Sequence, residues 1–82
     1  MSVLIMFRSL TSAQRGSHVL ERAGIAAPVA KAPQSATDKG CTYCIRVSEN
    51  KLESALDVLE SGRIQHGRIL RLEPDGYREV FP

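Results

Sequence analysis

Tryptophan is absent from the 82-residue chain, and two tyrosines and two phenylalanines supply all its aromatic surface. Stacking on single-stranded nucleic acid needs aromatic platforms set along a basic groove, and this composition argues against one. An excess of one charge is lacking as well. Eleven Lys and Arg stand against nine Asp and Glu, a formal +2 with the cations scattered among acids. No nucleic-acid partner is expected. Cysteine stops at two, too few for a disulfide-stapled scaffold. The opening run MSVLIMF has no basic segment before it and is too short for a signal peptide or a membrane span. A reducing, cytoplasmic compartment with free thiols is therefore expected, and no membrane partner.

What is present suits one small globular domain. The chain is 43% hydrophobic, and its core must come from Ile, Leu, Val and Ala. A chain of this length buries only ~60–65% of its unfolded surface. Stability should be modest, and a homo-oligomer, most simply a dimer, would help.

SVLIMF (2–7) is a continuous apolar run of strand length, the pattern of a central strand covered on most sides. Thr11 is a fair N-cap for a helix over 12–23, with Ala13, Gly16, Leu20 and Ala23 as its inward stripe. Gly24 stands where a left-handed C-cap is wanted. Residues 25–30 form a weak strand, and Pro28 within it argues for an edge position. KAPQSATDKG (31–40) is loop chemistry.

Cys41 to Val47 restores the strand signal. Asn50 and Glu53 have capping-box spacing, with Ser48 as the other candidate cap. The helix that follows to Ser61 carries Leu52, Ala55, Leu56 and Leu59 at helical spacing, and Gly62 closes it. Residues 67–72 read as a last clear strand, PDG (74–76) as a turn, and YREVF as a short extra strand or a tail.

VLERAGI (19–25) and VLESGRI (58–64) sit at matching points of two strand–helix–strand units. Two such units in tandem predict a ferredoxin-like βαββαβ fold: an α+β domain with a four-stranded antiparallel sheet and both helices on one face. The first and third strands then lie in the centre. The expected domain is 1–73, with a C-terminal turn and tail over 74–82.

Both cysteines fall in ATDKGCTYCIRV (36–47). Alternation along the third strand puts Cys41, Tyr43, Ile45 and Val47 on the helix-covered face, and Thr42, Cys44 and Arg46 on the open one. The two sulfurs then leave opposite sides of the strand. A bridge would need a turn or bulge to bring the Cα atoms within about 7 Å with converging Cβ vectors. The thioredoxin reading of C-x-x-C also fails on context, because that motif caps a helix and here β-formers follow it. A zinc centre would have to recruit His18 and His66, from different elements with no signature spacing. No metal and no cofactor is expected.

That leaves one working thiol or none. Cys41 joins a Gly-containing loop to a rigid strand, with Lys39 two residues away and Arg8 or Arg46 at a strand end. Cationic neighbours favour the nucleophilic thiolate. The alternative is that Cys41 caps the core as a small hydrophobe. The residues alone leave both readings open. For Cys44 a packing role is favoured.

The order of motifs carries a resemblance. VLIMFRS, a helix ending in AGI, a polar loop ending in GC, the strand CTYCIRV, the helix KLESALDVLESG and a closing short strand resemble the small bacterial family of selenium/sulfur (Se/S) carrier-like proteins, from about Val3 to Leu72. The resemblance implies a carrier that holds sulfur or selenium on one cysteine as a persulfide or perselenide. It receives the atom from a donor protein and yields it to an acceptor. The family's cysteine at the loop-to-strand junction corresponds to Cys41, with Gly40 before it. Where family members commonly have Gly after that cysteine, this chain has Thr42. Cys44 lies where an apolar residue is usual, so the resemblance gives it no role. On strand geometry a resolving role for Cys44 is disfavoured.

Sulfur transfer needs no pocket, base or metal, which suits a chain with no Ser/His/Asp set, phosphate loop or distinctive carboxylate pair. At most the chain is a sulfurtransferase-type carrier. Two other readings compete. One is a non-catalytic interaction module that pairs through an edge or the open face of the sheet. The other is a small-ligand sensor in which the 31–40 loop closes over a pocket.

Overall fold

The computed structural model describes residues 1–33 and 42–81. Among them β1 (Ser2–Phe7), α1 (Leu10–Arg22), β2 (Val29–Lys31), β3 (Tyr43–Ser48), α2 (Leu52–Ser61), β4 (Ile69–Glu73) and β5 (Gly76–Glu79) follow in order. The strands form one sheet in the order β2-β3-β1-β4-β5, and every neighbouring pair is antiparallel. This α+β architecture is broadly consistent with the ferredoxin-like expectation, with five strands among the described residues in place of four. The fifth is the short strand read in YREVF, which pairs with β4 from Leu70–Glu79 to Glu73–Gly76.

The apolar run of β1 sits between β3 and β4, and Val3 to Phe7 are all buried. Its odd positions Val3, Ile5 and Phe7 join Ile45, Val47 and Ile69 beneath Ala13 and Leu20 of α1 and Leu52, Ala55 and Leu59 of α2. Both helices therefore cover one face. The even positions Leu4 and Met6 pack with Cys44 and Leu70 in a second cluster on the opposite face. The close approach of α1 to the sheet rests on Gly16, where an added Cβ would lie 3.0 Å from Ile45 Cδ1 and from Phe7 Cζ.

Several boundaries differ from the sequence reading. Helix α1 begins at Leu10, because the cap is Ser9 and not Thr11. Ser9 is extended (φ −133, ψ 155), and its hydroxyl accepts from the Ser12 amide at 3.1 Å. Strand β2 is confined to Val29–Lys31, although its edge position holds. The Asn50–Glu53 capping box does not form. The Glu49 amide donates to Met1 O at 2.7 Å and the Glu49 carboxylate takes Arg71, so a 3-10 turn over Glu49–Lys51 leads into α2 without a side-chain cap.

At the helix C-termini the two halves follow one geometry with different residues. Ile25 N donates to Leu20 O and Gly24 N to Glu21 O, with Gly24 at φ 84, a Schellman motif as expected. In α2 the equivalent bonds run from Ile64 N to Leu59 O and from Arg63 N to Glu60 O. There the left-handed residue is Arg63 (φ 55), while Gly62 stays at φ −84.

Candidate functional site

Of the residues singled out in the sequence, Lys39, Gly40 and Cys41 lie outside the described residues. Arg8 is exposed and directly follows Phe7, which is in register with Tyr43. It therefore stands at the end of the sheet where the chain enters β3. Thr42, the residue next to Cys41, is exposed, and its carbonyl accepts from Ala32 N at 2.9 Å.

Cys44 is fully described. It pairs with Met6 on one side and Ala30 on the other, and it is 1% exposed among Leu4, Met6 and Leu70. It is a free cysteine. Burial raises its thiol pKa above the ordinary 9.0, because the thiolate would lose its water; the Arg46 cation lowers it by less. At neutral pH Cys44 is a protonated thiol packed as a small hydrophobe.

The two histidines lie on different elements. His18 is exposed on α1, and His66 is exposed after α2, where its Nδ1 lies 2.7 Å from Gly67 O. Among the described residues no group of three or more His, Cys, Asp and Glu is arranged to hold a metal ion. No described helix is long and apolar enough to cross a membrane.

Among the described residues, two surface clefts are of interest. One, of about 480 Å³, lies at the end of α2 between Asp57, Glu60, Ile64 and His66. The other, of about 310 Å³, lies on the open face of the sheet, floored by Leu4, Cys44 and Leu72 and rimmed by Lys31, Arg46 and Tyr77. Sequence reading placed Cys44 and Arg46 on this face but missed the cleft. Its far wall comes from β4 and β5, and the one early signal was the apolar side chains at the even positions of β1.

No curated protein and no solved structure matches the chain. A family model does, over residues 2–71, covering both helices, β1 to β3 and part of β4. That span holds the Cys41 junction and Cys44 together. By it the chain belongs to the family described as "Putative Se/S carrier protein-like".

Proposed function

We propose that the protein carries sulfur or selenium on Cys41. The observation that carries the choice of residue is the state of Cys44. Its thiol is buried and held protonated, so of the two cysteines it is unsuited to act as a nucleophile at neutral pH. Family membership supports the class of cargo.

In the proposed cycle the Cys41 thiolate attacks the terminal sulfur of a donor persulfide, R–S–SH. The donor's S–S bond breaks, its inner sulfur leaves as a thiolate, and Cys41 becomes the persulfide. An acceptor thiolate then attacks that terminal sulfur and restores the Cys41 thiolate. No net oxidation occurs and no cofactor is required. Lys39 and Arg8 are assigned to favouring the thiolate electrostatically, and Gly40 to giving the partner sulfur an approach. The partners are sulfur or selenium donor and acceptor proteins, and the carrier acts as a homodimer in the cytoplasm.

Intact-mass spectrometry after incubation with a persulfide donor tests this reading. The wild type and Cys44→Ala should each gain one sulfur, ~32 Da, and Cys41→Ser should gain none. An adduct that persists in Cys41→Ser and vanishes in Cys44→Ala would overturn the assignment. No adduct on any variant would overturn the carrier.

A further inference from the structure

The open-face cleft has a chemistry of its own, independent of the carrier reading. Its floor of Leu4, Cys44 and Leu72 is apolar, and Tyr77 supplies an exposed ring and hydroxyl on the β5 side. On the β2–β3 side stand two exposed cations: Arg46, in register with Leu4 on this face, and Lys31 at the β2 edge, in register with Tyr43 of the helix-covered face. Among the described residues neither is held by an ion pair or a side-chain hydrogen bond. No Asp or Glu among the described residues lines the cleft. Glu79, opposite Leu70 on the same face, is held by Arg68 at 3.4 Å.

An apolar floor with a few convergent polar groups is the usual make-up of a small-ligand site, and about 310 Å³ lies at the small end of the ~300–1,000 Å³ such sites span. The Arg46 cation, with no acid among the described lining residues, sets the sign of the ligand. Arg46 is the stronger recognition group, since its planar fork meets a carboxylate in two parallel hydrogen bonds. We propose that this cleft binds a small organic carboxylate with an apolar body, its carboxylate on Arg46 and its body over Leu4, Cys44 and Leu72.

The test is an amide chemical-shift titration of the full chain carrying Cys41→Ser, which separates the result from any sulfur chemistry. Hexanoate, phenylacetate and 1-naphthoate are the probes, with phenylacetamide as the neutral control. At least one carboxylate should give saturable shifts at millimolar concentration, grouped on Ala30, Cys44, Arg46, Leu72 and Tyr77. Phenylacetamide and the Arg46→Gln variant should each bind at least about tenfold more weakly, from loss of a charge-assisted hydrogen bond. Arg15→Gln, on the exposed surface of α1, should change nothing. Absence of saturable shifts with all three probes would overturn the proposal. So would shifts grouped elsewhere, or equal binding by Arg46→Gln.

Discussion

Cys44 sits between Met6 and Ala30 in the middle of the sheet, and its neighbours decide what its sulfur is for. Cys44→Ala should cost about 1 kcal/mol in urea unfolding, for a small cavity. Cys44→Ser should cost more, about 1–3 kcal/mol, because a hydroxyl replaces sulfur among Leu4, Met6 and Leu70 with no partner there. The raised thiol pKa also has a pH signature. Above 9.0 the unfolded chain releases this proton while the folded chain keeps it. The contribution is therefore complete below 9.0 and is lost as pH rises through the folded value. Stability of the wild type should fall more steeply above 9.0 than that of Cys44→Ala, as urea midpoints at a series of pH values would show. Gly16 makes a second prediction at this scale. A side chain there meets Ile45, Phe7 and Leu59 at 3.0 to 3.3 Å, so Gly16→Val should lose about 2–3 kcal/mol.

Among the elements, the helix ends give the sharpest tests. Ser9→Ala should cost about 1 kcal/mol by removing the α1 cap, whereas Thr11→Ala should stay within about 0.5 kcal/mol. Arg63→Gly should stabilise by about 1 kcal/mol, since it relieves a left-handed residue that carries a Cβ. Thermal denaturation of the three variants ranks them. These are also the places where the sequence was least legible. Period alone found both helices and the inward residues Ala13, Gly16, Leu20, Leu52, Ala55 and Leu59, but it carried the first stripe too far, to Ala23, which is the exposed C-cap of α1 because the helix ends at Arg22. It had no means of ranking Ser9, Thr11 and Ser12 as caps, because each carries a hydroxyl before the same apolar stripe. Nor does VLESGRI reveal that its glycine falls one position short of the left-handed turn that VLERAGI fills with Gly24. The candidate site divides the same way. Alternation along one strand is local, so it placed Cys44 correctly. The cleft joins β2 and β3 to β4 and β5, and no local pattern encodes that meeting.

For the molecule as a whole, β1 buries side chains on both of its faces, and the sheet is the common core of both strand–helix–strand units. The Glu49–Arg71 pair fastens the turn after β3 to β4, with Nε to Oε2 at 2.9 Å and both side chains about a third exposed. Glu49→Gln should cost no more than about 1 kcal/mol, and the difference from wild type should shrink in high salt. The sheet order has a consequence for how the chain is made. β1 bonds to β3 on one side and to β4 on the other, and both lie far downstream of it. On the ribosome the run SVLIMF stays unpaired and apolar until β3, ending at Ser48, has emerged, and its other edge stays open until Arg71 has. Synthesis therefore leaves a window in which holdase chaperones have a ready target in its opening strand.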